Sequence, residues 1–171
     1  MRTSLCVLTA LVLTTVAVSA QTSDFRDPLL DHLVGEWVLE GPIAGNDVTH
    51  DVVAEWVLGH QYLKIREISR ERDAAGRPEY EAIVLIGWDA SGERYACLWL
   101  DSTGGGGLAP PAMGYGTASG DAIPFTFPVP DGSAFHNTFS YDRGTDTWQW
   151  HMQVEANGAR QDFARVTLSR K

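Results

Sequence analysis

After residue 35 the chain is a succession of short runs rich in Val, Ile, Trp, Tyr and Phe, and none sustains a 3.6-residue period. Turn signals separate these runs at Gly45-Asn46, Gly59-His60, Ala75-Gly76, Ser91-Gly92, Gly104–Gly107, Ser119-Gly120, Asp131-Gly132, Arg143-Gly144 and Asn157-Gly158. Nine breaks predict about ten strands. Strands at such spacing, with no helices between them, make an antiparallel barrel or sandwich. One short helix precedes them. Asp27 is its N-cap, Pro28 takes the first helical position, Leu29, Leu30, Leu33 and Val34 supply an apolar face, and Gly35 ends it within two turns.

Two hairpins can be registered from the pattern alone. With Ser91-Gly92 at the turn, Trp88 faces Tyr95, Ile86 faces Cys97 and Val84 faces Trp99; on the other face Gly87 meets Ala96, Leu85 meets Leu98 and Ile83 meets Leu100. Both faces are apolar, whereas a half-solvated sheet keeps one face polar. The outer face is therefore expected to be covered by the helix, by a loop, or by a second copy in a homodimer through the Trp88/Trp99 hairpin. The second hairpin alternates cleanly. Tyr141/Trp148, Phe139/Trp150, Asn137/Met152 and Phe135/Val154 form an inner face, and His136 and His151 become diagonal neighbours outside. Two imidazoles there lack the further ligands of a zinc site, and no metal site is expected.

The first twenty residues change the picture of where the protein works. Met1-Arg2, the apolar run Leu5–Ala17 and the small residues Val18-Ser19-Ala20 read as an export signal, too short for a spanning helix. Residues 21–171 then form one β-barrel domain, secreted or periplasmic. The 13 Lys+Arg and 22 Asp+Glu give a formal charge of −9, and loss of residues 1–20 removes only Arg2 and makes it −10. With no basic run, nucleic acid and anionic membrane surfaces are poor partners. Cys6 leaves with the signal, so Cys97 is left without an intrachain partner.

Leu33-Val34-Gly35-Glu36-Trp37, Leu58-Gly59-His60-Gln61-Tyr62-Leu63, Gly87-Trp88-Asp89 with Tyr95, and Leu98-Trp99-Leu100-Asp101-Ser102 resemble the uncharacterised bacterial family DUF1579 over most of the mature chain. The Gly-x-Trp after a short helix is also similar to lipocalin and nitrobindin-like barrels. The resemblance implies an all-β, antiparallel lipocalin-like (calycin-type) barrel of about ten strands and supplies no reaction. Two features depart from it: Trp88 stands where Tyr is expected, and Gly104–Pro111 is unusually rich in glycine.

In such a barrel Gly35 lets the helix end and Trp37 plugs the closed end, a structural pair. Arg165 lies against Trp37 if Phe163, Arg165 and Thr167 face inward; the competing register turns Ala164, Val166 and Leu168 inward. A ligand cavity for a small apolar molecule would take Trp56, Tyr62, Trp99, Phe139 and Trp150 as walls and Arg66 and Asp101 as polar anchors. The alternative for Arg66 is a solvated outer face, and the alternative for the cavity is a filled core. The segment from Ser102 to Gly116 is expected to lie over the barrel mouth as a lid. No nucleophile elbow or zinc-protease motif is present, Cys97 sits mid-strand, and no catalytic residue is assigned. Three functions stay open: a small-molecule carrier without a cofactor, a haem protein with redox or isomerase chemistry using His60, His136 or His151 as axial ligand, and a ligand-free structural dimer.

Overall fold

The computed structural model describes residues 25–104, 107–129 and 131–171, so the signal read over residues 1–20 lies outside the described residues. Helix α1 spans Pro28–Asp31 and is followed by ten strands. These are β1 (Gly35–Ile43), β2 (Asn46–Val57), β3 (Tyr62–Ser69), β4 (Glu81–Asp89), β5 (Arg94–Asp101), β6 (Met113–Gly116), β7 (Ala122–Pro128), β8 (Ala134–Asp142), β9 (Thr147–Ala156) and β10 (Ala159–Arg170). Each pairs antiparallel with its sequence neighbours, and β1 also pairs with β10, closing the barrel. All nine turn signals fall in or beside the connections between strands. The segment expected as a lid is shorter than anticipated: its last four residues are β6, and Pro110–Ala112 form a 3-10 turn before it.

Period-two alternation sorts the side chains. Trp37 and Leu39 of β1, Val52 and Ala54 of β2, Leu63 and Ile65 of β3, and Val84 and Ile86 of β4 are buried inside. Phe125, Phe139, Trp148, Trp150, Val166 and Leu168 complete the core from the other side. Both hairpin registers are as expected, including Trp88↔Tyr95 and Val84↔Trp99, and Phe139↔Trp150 with Thr138↔His151.

One end is sealed by local chemistry. The Asp27 side chain accepts from the N–H groups of Leu29 and Leu30, each at 2.9 Å, and also from the Tyr95 hydroxyl, which ties the helix start to β5. Trp37 is fully buried, and its Nε1 donates to the Leu33 carbonyl at 2.7 Å. The arginine over its ring is Arg170, 3.8 Å from the centroid, and not Arg165. Ala164, Val166 and Leu168 take the inner face of β10, which leaves Arg165 outside on His151 and Asp162. Arg170 also donates to the carbonyls of Val34 and His32, at 2.7 and 2.9 Å, where the chain leaves α1. Gly35 makes room for this: its φ is 130°, and a Cβ there would stand 2.6 Å from Arg170 Nη1.

Helix α1 sits under this closed end, where Leu29, Leu30 and Leu33 join the core, so it does not cover the outer face of the β4–β5 hairpin. On that face Leu85, Leu98 and Leu100 are half-buried and Ile83 is 48% exposed. The Tyr62 ring lies over Gly87, where a Cβ would meet it at 2.7 Å. Trp88 belongs to the inner-facing set, but at the closed rim, stacked on Phe25 and partly exposed.

Candidate functional site

The opposite end of the barrel holds a cavity of about 790 Å³. It is bounded by the ends of β1, β3, β5, β7 and β9, the starts of β2, β8 and β10, Glu71, Glu79 and Tyr80 after β3, and Thr103, Pro111 and Ala112 after β5. Its two sides differ in chemistry. Phe127, Phe135, Met152 and Phe163 make an apolar wall, in which Phe135 meets Phe127 and Phe163 edge-on at centroid distances of 6.4 and 5.6 Å. Facing it are Asp47, His50, Glu67, Glu71, Glu79, Tyr80 and Asp101, and among the described lining residues there is no Lys or Arg.

The centre of the polar side is a buried pair. His50 Nδ1 lies 2.5 Å from Glu67 Oε1, and both residues are almost completely inaccessible. The carboxylate accepts, so Nδ1 is the donor. Tyr80 stacks on the His50 ring at 5.6 Å and its hydroxyl accepts from Trp99 Nε1 at 3.0 Å. Burial, reinforced by the negative charge of Glu67, pushes the Tyr80 phenol far up, so it stays protonated. Ser69 Oγ donates into Glu71, to the carbonyl and to Oε2, both at 3.0 Å. The backbone N–H of Glu71 itself, then the Ser69 hydroxyl and the Thr49 N–H, hold the Glu71 carboxyl below its ordinary value, so it is ionised at neutral pH. Glu67 Oε2 is buried and has no hydrogen-bond partner within the protein.

Of the residues expected to form a ligand site, Trp99 and Asp101 line the cavity. Phe139 and Trp150 are stacked at 4.6 Å in the core and each meets Trp99 edge-on, so they support the lining without belonging to it. Trp56 faces inward but at the wrong end: its Nε1 donates to Asp31 of α1 at 2.8 Å and its ring stacks on His60. Tyr62 and Arg66 share the outer face of β3, the alternative reading for Arg66, because Leu63 and Ile65 take the inner positions.

The three histidines considered as haem ligands also lie away from the cavity. His60 is at the closed end, 3.9 Å from Asp31; His136 bonds Glu155 at 2.8 Å and His151 bonds Asp162 at 2.7 Å, both on the outer face. The histidine inside is His50, which with Glu67, Ser69 and Tyr80 stands outside the set expected from the sequence. Parity was the available signal: His50 precedes Val52 by two residues and Glu67 follows Ile65 by two, so both continue an inward-facing set.

This arrangement is a receptor for a polar group beneath an apolar wall. The Ser69 hydroxyl is committed to Glu71, and burial pushes the Cys97 thiol far up, so neither is an activated nucleophile. Among the described residues no group of three or more His, Cys, Asp or Glu is placed to hold a metal ion, and no helix is long and apolar enough to cross a membrane.

No family model and no curated protein matches the chain. The solved structure of Rv2717c from M. tuberculosis is similar to it, with a TM-score of 0.54 and 16% identity over 85% of this chain and 98% of that one. At that identity the likeness concerns the fold: both chains are β-barrels of one architecture.

Proposed function

We infer that this is an exported binding protein, related to the DUF1579 barrels, that holds one small and largely apolar molecule in the open-end cavity. The observation that carries the reading is the cavity: about 790 Å³ walled by Phe127, Phe135, Met152 and Phe163 inside a closed barrel. Cavities of roughly 300–1,000 Å³ are the usual size for enclosing a small ligand. Eight- to ten-stranded barrels either fill their interior with side chains or keep such a space for one ligand. Export is supported by the basic start, apolar run and small residues of positions 1–20.

The test is native mass spectrometry of the mature protein purified from its own host without detergent, followed by titration with an apolar fluorescent probe. The expected result is one added mass per chain, or saturable binding of one probe to the empty protein. An unliganded mass together with no probe binding overturns the reading. A mass equal to haem would replace the carrier by the haem protein.

A further inference from the structure

Given the carrier reading above, the polar side of the cavity selects what kind of molecule enters. Three observations converge. First, Glu67 is 1% exposed and lines the cavity, and one of its carboxylate oxygens has no partner in the protein. A buried carboxylate oxygen left unpaired is costly, and a donor brought by a ligand removes that cost as the carboxylate turns toward the cavity to meet it. Second, Glu67 pairs across the sheet with Ala82, and Ala82 with Asp101, so the two acids stand on one rung of the inner face with a methyl between them. Two inter-strand spacings separate their Cα atoms by about 10 Å. That leaves a seat for a small polar group flanked by carboxylates. Third, Asp47, Glu71 and Glu79 continue the same sign around this side, with no lining Lys or Arg to offset it, while the aromatic wall stands opposite.

We propose that the cavity selects amphiphiles whose polar end is a protonated amine, with its N–H groups donating to Glu67 Oε2 and toward Asp101 and its apolar body against Phe127, Phe135 and Phe163. An ammonium has three donors and no acceptor, which matches the carboxylate oxygens of Glu67 and Asp101. A carboxylate headgroup in the same seat meets negative charge at short range in a poorly solvated site, where like charges repel strongly. An uncharged hydroxyl can donate one hydrogen bond and gains no Coulomb attraction. The prediction is an order among ligands of equal apolar size: amine, then alcohol, then carboxylate.

Decylamine, decanol and decanoate, each below its aggregation concentration, are titrated into the purified protein by calorimetry at pH 7. The expected result is one amine per chain, bound at least about tenfold tighter than the alcohol, with the carboxylate weaker again. The Glu67→Gln variant keeps an acceptor for His50 and is expected to bring amine and alcohol to within about threefold of each other. Asp101→Asn, at the rim, reduces the amine preference in the same direction should Glu67→Gln fail to fold. Asp142→Asn, at the other end of the barrel, changes the net charge by the same amount and leaves the preference unchanged. Alcohol or carboxylate binding as tightly as amine overturns the proposal and leaves the carrier reading standing. Equal loss in Glu67→Gln and Asp142→Asn also overturns it, because attraction would then come from overall charge. Failure of all three probes overturns both.

Discussion

The two ends of the barrel are built from the same strands and solve opposite problems. At the closed end nearly every buried polar atom is spoken for. Asp27 serves two helix N–H groups and Tyr95, Trp37 bonds Leu33, Trp56 bonds Asp31, and Arg170 holds two carbonyls while lying on the Trp37 ring. Trp148 Nε1 is the exception there, and Trp150 Nε1 has no partner in the core between the two ends. The open end keeps volume, and nearby in the interior Glu67 Oε2 and both side-chain polar atoms of Asn137 have no protein partner. Each such atom costs about 1–3 kcal/mol, so stability is concentrated at one end and given up at the other. Substitutions should therefore hurt folding at the closed end and change binding at the open end.

Trp37→Ala is expected to have the largest effect. It removes a fully buried indole, the Leu33 hydrogen bond and the surface on which Arg170 rests. A loss of about 3–5 kcal/mol in urea unfolding is expected, enough to unfold a marginal domain. A loss below about 1 kcal/mol would mean that the seal is not where the stability lies. Arg170→Met comes next, at about 1–3 kcal/mol, since the chain stem can still cover Trp37 while the two carbonyls lose their donor. Asp27→Ala follows at about 1–2 kcal/mol for the lost cap, and the Tyr95 hydroxyl loses its acceptor with it. Probe binding at the far cavity should be unchanged in the folded fraction of all three.

Asp146→Asn sharpens the picture further, through pH. Arg170 and Tyr141 donate to Asp146 and hold its carboxyl below the ordinary value of 3.8. Its contribution is therefore complete above that value and fades as pH falls through the depressed folded value. Stability curves of the wild type and the variant should converge in acid. Curves that stay parallel down to the acid limb would show that this exposed pair contributes nothing.

How much of this was legible beforehand follows from which physics sets each feature. Strand count, both hairpin registers and the helix with its Asp27 cap depend on local alternation and turn chemistry, and the sequence states those directly. The partner of Trp37 depends on which parity of β10 faces inward. A bulge between Asp162 and Ala164 intervenes, and two arginines were available, so the choice of Arg170 over Arg165 needed the register. The cavity residues were half legible for a different reason. Aromatic residues drew attention to Trp56 and Tyr62, but face and end, not residue type, decide whether a side chain meets a ligand. His50 and Glu67 were readable as inward-facing by parity, but their residue type argues the other way, since His and Glu on strands usually face water.

The substitution that best tests the contrast is expected to change stability least. Glu67→Gln is nearly isosteric, and its side-chain oxygen can still accept from His50 Nδ1, so the 2.5 Å contact has a successor. What it removes is a buried negative charge, one of whose oxygens no protein group satisfies. Replacing buried ionic groups by well-fitting neutral ones is often neutral or mildly stabilising, because the desolvation cost disappears with the charge. The unfolding free energy should therefore stay within about 1 kcal/mol of the wild type while amine binding falls. A loss above about 3 kcal/mol would make the His50–Glu67 pair a structural anchor equivalent to Arg170 on Trp37, and the two ends would then differ in shape but not in purpose.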